Sequence, residues 1–221
     1  MMLEARYNKT ALFLFDIYVG RLLRKNFSNF FLSNLPPELP QDKSFVITPN
    51  HISWWDGFFI NQLNRLLLNK NLYYIMLQKQ LERYCFFRYL GAYSIIPENP
   101  KSISETVKYT SKILSNSANA VAFYPQGEIE AFDKRPLNLK KGLQLFLKGK
   151  KDSCAVLPVA FKIQHYNKKY PAIIFRAGRI ISSAEILNDF CAFEKEFCAN
   201  LDALNESVFN QNFVKDLFER E

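Results

Sequence analysis

Apolar positions along this chain follow two rhythms. Ser44 to Thr48, Leu72 to Leu77, Ala120 to Tyr124, Cys154 to Lys162 and Ala172 to Arg176 are short β-rich runs, while residues 57–69, 102–116 and 139–149 carry helical spacing. Strands alternating with helices predict an α/β sandwich. Phe190, Phe193, Phe197, Leu201, Leu204 and Val208 recur at steps of three and four, which predicts an amphipathic helix with room for a second after it. That stripe suits a protein core better than a lipid site. Pro158 lies inside the run Leu157-Pro158-Val159-Ala160, where its missing donor predicts a sheet edge or a bulge.

The N-terminal segment differs. Glu4, Arg6 and Lys9 precede the apolar run Ala11 to Phe15, Asp16 interrupts it, and Arg21, Arg24 and Lys25 close it. No cleavable signal peptide is evident, and no segment supplies the roughly 20 mostly apolar residues that a spanning helix needs. Residues 3–33 have the composition of a helix or helical hairpin lying in a lipid interface, and equally of an amphipathic helix that caps a core. Leu35-Pro36-Pro37-Glu38-Leu39-Pro40 stops any preceding helix. A boundary there divides an N-terminal amphipathic segment, 1–40, expected to associate with membrane, from an α/β domain, 41–221.

Charge narrows the partners. A formal net charge of +8 combined with 21 Phe and 11 Tyr fits an anionic surface: nucleic acid, phospholipid or an acidic carrier protein. No zinc-finger, helix-turn-helix or RNP pattern supports nucleic acid, which leaves lipid and carrier. The four cysteines, Cys85, Cys154, Cys191 and Cys198, form no Cys-x-x-Cys pair, so reduced thiols and a cytoplasmic setting are expected. Two histidines and scattered cysteines offer no zinc spacing, and no metal is expected.

The candidate chemistry begins at Asn50-His51-Ile52-Ser53-Trp54-Trp55-Asp56, directly after a β-rich run. A carboxylate on one imidazole nitrogen fixes the tautomer and stabilises the imidazolium that forms when the other nitrogen takes a proton. Five residues of regular helix turn the chain by about 500°, leaving the two side chains roughly 140° apart. His51 must therefore sit in the turn, with a helix starting near Ser53 so that Asp56 reaches back. A pair that merely bonds the turn's backbone is the bland alternative. His165, among Gln164, Tyr166, Asn167, Lys168 and Lys169, is expected on the surface.

A second unusual stretch, Phe123-Tyr124-Pro125-Gln126-Gly127-Glu128, ends a strand in a turn. Gly127 permits positive φ and close approach of a ligand, and Gln126 and Glu128 offer polar groups at the carboxyl edge, where α/β sheets bind ligands. An ordinary strand-to-loop turn is the alternative. Lys134, Arg135, Lys140, Lys141, Lys148, Lys150 and Lys151 follow with no acidic residue among 134–151. They suit either a solvated face or a phosphate-bearing ligand, with Lys140-Lys141-Gly142 opening a helix.

These landmarks resemble, in order and spacing over residues 44–180, the glycerolipid acyltransferase family, which includes the lysophospholipid acyltransferases. His51 and Asp56 match its His-x-x-x-x-Asp motif. Leu90-Gly91-Ala92-Tyr93-Ser94-Ile95 stands where the second motif belongs, Tyr124-Pro125-Gln126-Gly127 looks like the third, usually Phe-Pro-Glu-Gly-Thr-Arg, and Leu157-Pro158-Val159-Ala160 like the fourth. The resemblance implies a mixed sheet flanked by helices. It implies transfer of a fatty acyl group from acyl-CoA or acyl carrier protein to a lipid hydroxyl at the membrane surface, on the inner face. His51 would be the base and Asp56 its orienting partner, with no cofactor beyond the thioester. Tyr124, Pro125, Gln126, Gly127, Glu128, Gly91, Arg135, Lys140 and Lys141 are the expected substrate-binding residues. Direct attack by the activated hydroxyl needs no nucleophilic serine, and no Gly-x-Ser-x-Gly is present. Two departures bear on the acceptor: Pro97 and Ile129 stand where the family carries phosphate-clamping arginines, whose planar fork neither can imitate. A lipid-binding protein with the same fold and an acyl-thioester hydrolase are the rival functions.

Overall fold

The computed structural model describes residues 2–150 and 153–219, and Lys151 of the basic stretch lies outside them. The chain opens with helix α1 (Lys9–Asn26), whose Asn8 side chain accepts from the Ala11 amide at 3.0 Å and whose last turn carries Arg24 and Lys25 against the carboxyl-terminal dipole. Strands β1 (Asn29–Leu32) and β2 (Ser44–Pro49) follow. Helix α2 (Asp56–Leu63) continues as one π-turn, Asn64–Leu68. Strand β3 (Asn71–Leu77), helix α3 (Gln78–Arg83), a 3-10 turn (Cys85–Leu90) and strand β4 (Ala92–Ile95) come next. Helix α4 (Pro100–Ile113) begins on the Asn99 cap with proline in its first turn, where the missing donor costs nothing. Strand β5 (Asn119–Ala122), helix α5 (Gly142–Leu147), strands β6 (Cys154–Gln164), β7 (Ala172–Ala177) and β8 (Ile181–Ser182), helices α6 (Ser183–Asn188) and α7 (Phe190–Phe209) and strand β9 (Lys215–Asp216) complete the chain.

One mixed sheet runs in the order β4-β3-β5-β2-β6-β7-β1-β9, with β8 also on β6. From β4 to β6 the strands are parallel; β6 and β7 are antiparallel. The expected α/β fold with flanking helices is therefore the one observed. Alternate residues of β2 separate two cores. Phe45 and Ile47 meet Val19, Leu23, Phe59 and Ile60 of α1 and α2, whereas Val46 meets Leu143, Ile186, Phe193 and Phe197 of α5 to α7. The phenylalanine stripe of α7 is core, as expected.

Two sequence expectations change. Among the described residues no second helix follows α7: the chain instead adds β9 to β1, because Asp216 accepts from the Phe30 amide at 3.0 Å and from Asn29 at 2.6 Å. Of the two expectations for Pro158 the edge fails and the bulge holds: it lies within the interior strand β6, opposite Thr48, where residues 157–158 face residues 178–180 as the neighbouring chain passes from β7 to β8, and its carbonyl accepts from Gly178 N–H at 2.8 Å. The Leu35–Pro40 stretch has no regular structure, yet the segments on either side share one core: β1 pairs with β7, and Phe27 and Phe30 pack with Phe59 and Phe161. Asp16, the charge that interrupts the apolar run, accepts from Asn61 of α2 at 2.8 Å and so helps to dock α1.

Candidate active site

His51 leaves the carboxyl end of β2, and α2 starts with Asp56 itself, three residues later than the sequence suggests. The reason lies in the Asp56 carboxylate. Its Oδ2 accepts from Ile52 N–H at 2.7 Å and Ser53 N–H at 3.0 Å and lies 2.8 Å from His51 Nδ1, while Oδ1 accepts from Ser53 Oγ–H at 2.9 Å. These donors bind residues 52–53 in a turn and hold off the helix until position 56. A carboxylate can only accept, so the proton between it and the imidazole sits on Nδ1 and the lone pair is left on Nε2. The Asp56 side chain is 1% exposed and that of His51 25%, so the orienting carboxylate is sealed and the imidazole is open.

The loop after β5 meets this turn directly. Gln126 Oε1 accepts from His51 N–H at 2.7 Å, Gln126 Nε2 donates to Glu130 Oε2 at 3.0 Å, and Glu130 N–H donates to the His51 carbonyl at 2.9 Å. Lys134 Nζ donates to the other oxygen of Glu130. Bonded first to the Lys134 ammonium and then to the Gln126 amide, the Glu130 carboxyl titrates below its ordinary value. Gln126 is thus engaged at both ends within the protein. Glutamate, the usual family residue at 126, would set a second carboxylate against Glu130, so this pair explains the glutamine. The role of Glu130 was not foreseen; the signal available was its spacing of four from both Gln126 and Lys134.

Tyr124 lays its ring 4.6 Å from the imidazole, centroid to centroid. Its hydroxyl is buried, has no partner among the described residues and stays neutral, because burial first and then the Asp56 charge push its pKa well up. Gly127 adopts φ +77° and its amide donates to Tyr124 O at 3.1 Å, closing the turn. Lys140 donates its own amide to Pro125 O at 2.7 Å and lays its stem against Gly127. Among the described residues its ammonium makes no hydrogen bond or ion pair, and its charge adds to those that lower the titration of Glu130. Glu128 and Ile129 are exposed.

Other expected residues are not brought to His51. Arg135 bonds Asp202 of α7 at 2.7 Å. Lys141 precedes α5 and is exposed. Gly91 lies at the start of β4: the pairings Ala92–Tyr74, Tyr74–Ala122 and Ala122–Ile47 set it level with strand interiors, not with the carboxyl edge that carries His51. A Cβ on Gly91 would sit 2.5 Å from Leu72 O, so packing accounts for this glycine. His165 is exposed. Among the described residues no cluster of His, Cys, Asp or Glu could hold a metal ion.

A family model described as Acyltransferase matches residues 33–162. In fold the chain is similar to the crystal structure of the 1-acyl-sn-glycerophosphate (LPA) acyltransferase, PlsC, from Thermotoga maritima. The TM-score is 0.64 and the identity 13%, over 92% of this chain and 81% of that one. No curated protein matches significantly.

Proposed function

The chain belongs to the Acyltransferase family, and from that we propose that it moves a fatty acyl group from a thioester, acyl-CoA or acyl carrier protein, to a lysophospholipid-type hydroxyl at a membrane surface. The observation that carries this reading is the 2.8 Å contact from His51 Nδ1 to a sealed Asp56, which leaves Nε2 as the open base. The acceptor O–H gives its proton to Nε2 while its oxygen forms a bond to the thioester carbonyl carbon. The tetrahedral intermediate then expels the thiolate, which recovers the proton from the imidazolium. Asp56 supports that imidazolium without taking the proton. The Glu128 and Ile129 amides, which have no acceptor among the described residues, are the donors we assign to the developing oxyanion.

Membrane action is supported by a continuous aromatic surface beside the base. Phe13, Leu14 and Tyr18 of α1, Trp54 of the motif turn, and Tyr84, Phe86 and Tyr89 are all exposed. Beneath them, ring contacts run from Trp54 to Phe58 at 5.2 Å, from Phe58 to Phe15 at 6.1 Å and from Phe15 to Phe87 at 6.3 Å. Exposed apolar side chains joined in this way suit an interaction surface, and Lys9, Arg21, Arg83 and Arg88 on the same elements suit anionic lipid. Among the described residues no helix is long and apolar enough to cross a membrane. With Pro97 and Ile129 in place of arginines and Lys134 bonded to Glu130, Lys140 beside the Gly127 turn is the cation we assign to the head group.

The test is thiol release from palmitoyl-CoA and from palmitoyl acyl carrier protein, with and without lysolipids in anionic vesicles, for wild type and His51→Ala. Release that requires both lysolipid and His51 is expected. Release indifferent to lysolipid would indicate a hydrolase, and none from either donor would indicate a binding protein.

A further inference from the structure

Strand β2 lies between β5 and β6, and its last residue, Pro49, stands opposite Val159. Two residues further the register would set His51 opposite Phe161, but by then the chain has turned out of the sheet. That departure would strand the N–H and C=O of Phe161 on the β2 side of β6. Phe161 is 0% exposed, so no water reaches them, and a buried backbone pair left unbonded is costly.

Asn50 takes both groups. Phe161 N–H donates to Asn50 Oδ1 at 2.7 Å, and Asn50 Nδ2 donates to Phe161 O at 2.9 Å. Asn50 is itself 1% exposed, and its own amide donates to Val159 O at 3.3 Å. One side chain thus replaces the ladder bonds that β2 would have made had it continued. An ionised carboxylate could accept from the Phe161 N–H but not donate to its carbonyl, so an amide is the group this gap takes.

The consequence is positional. The Asp56 bonds close the motif turn on itself and fix its shape. Its place is fixed from two sides: Asn50 ties the residue before the base to β6, while Gln126 and Glu130 tie the His51 backbone to the loop after β5.

We infer that Asn50 is a positioning residue for the reaction: through Phe161 it sets where the His51 turn stands against the 126–130 loop. It thereby sets the separation between Nε2 and the Glu128 and Ile129 amides assigned to the oxyanion. The kinetic consequence rests on the acyl-transfer reading. A displacement of about 1 Å between groups that act together can cost about 10²-fold in rate. Asn50 and the Phe161 backbone are sealed from either substrate, so the effect falls on kcat and not on KM.

The test compares wild type with Asn50→Ala in two readouts on the full chain. In lysolipid-dependent thiol release, kcat per folded molecule is expected to fall at least about tenfold, with KM for thioester and lysolipid unchanged. In hydrogen exchange, referenced to the Phe45 and Ile47 amides of β2, the His51 and Glu130 amides are expected to lose protection because they bridge the turn and the 126–130 loop. The Ile52 and Ser53 amides, held by Asp56, keep theirs. A kcat within about twofold of wild type, or unchanged protection at His51 and Glu130, would overturn the inference. Loss at all four amides would overturn it too, since the turn itself would then have come apart. If wild type shows no lysolipid-dependent release, the acyl-transfer reading fails and the exchange pattern alone decides the role of Asn50. Should Asn50→Ala fail to fold, Asn50→Ser, whose hydroxyl can hold one of the two Phe161 groups, decides by the same readouts.

Discussion

The two loops that meet at His51 are held in opposite ways. The loop after β2 closes on itself, since every donor to Asp56 lies within five residues of it. The loop after β5 is closed by groups distant in sequence: Gln126 and Glu130 bond the His51 backbone, and Lys140 bonds Pro125. A self-closed turn sets the tautomer and angle of one side chain. A cross-braced loop sets how far apart two parts of a site stand.

The largest effects fall on the self-closed turn. His51→Ala removes the base and is expected to lower acceptor-dependent thiol release by about 10²–10⁴-fold, with the urea midpoint unchanged because the imidazole is partly exposed. Asp56→Asn loses a comparable share of activity because a neutral amide oxygen facing the Ile52 and Ser53 N–H groups and His51 Nδ1 no longer supports the imidazolium, and it costs about 1 kcal/mol of stability as charge-assisted hydrogen bonds become neutral ones. An Asp56→Asn enzyme as active as wild type would remove Asp56 from the mechanism.

Next is the cross-brace. Gln126→Glu sets two buried carboxylates against each other and should cost about 2 kcal/mol at neutral pH, with stability returning when Glu130→Gln is added, since the pair is then only transposed. If the double variant is no more stable than Gln126→Glu alone, the 126–130 contact is not what selects glutamine. The wild-type brace is itself pH-dependent. Lys134 and Gln126 hold Glu130 below the ordinary 4.5, so the folded state binds this proton more weakly than the unfolded chain. The stabilisation is complete above that value and is lost as pH falls through the lower folded one. The stability gap between wild type and Glu130→Gln should narrow on acidification.

This contrast also explains what the sequence could reveal. The contact of the local turn, Asp56 reaching back to His51, was legible because its partners are close in sequence, although the start of α2 was placed three residues too early. The five β-rich runs and the α7 stripe were legible because burial on one face imposes a period. Glu130 was not, since its role exists only once β2 and β5 lie side by side and bring positions 51 and 126 together. Strands β1, β4, β8 and β9 were missed because their two to four residues are too short to show alternation. Arg135 looked available as a phosphate ligand, and only the placement of α7 shows it bonded to Asp202.

Two glycines extend the comparison beyond the loops. Gly91→Ala forces a Cβ to 2.5 Å from a backbone carbonyl at φ +96°, so a loss of about 2 kcal/mol or more is expected, with specific activity of the folded fraction intact. Gly127→Ala meets only the flexible Lys140 stem at φ +77°, so about 1 kcal/mol should go, here with reduced activity. A reversed pattern, with Gly91→Ala impairing turnover of well-folded protein, would return Gly91 to the substrate site.

The smallest effect is the most discriminating about what faces the imidazole. Tyr124 stands where the family usually has phenylalanine, and its hydroxyl is buried beside His51 with no partner among the described residues. Removing a buried, unsatisfied hydroxyl relieves a desolvation penalty, so Tyr124→Phe should raise stability by about 1 kcal/mol. The ring contact with the imidazole survives the change, and turnover should stay within about twofold, since less than 0.5 kcal/mol of barrier is at stake. Both quantities are measurable on one preparation by urea unfolding and thiol release. A stability gain accompanied by a tenfold fall in kcat/KM would mean that the hydroxyl finds its partner in the bound acceptor.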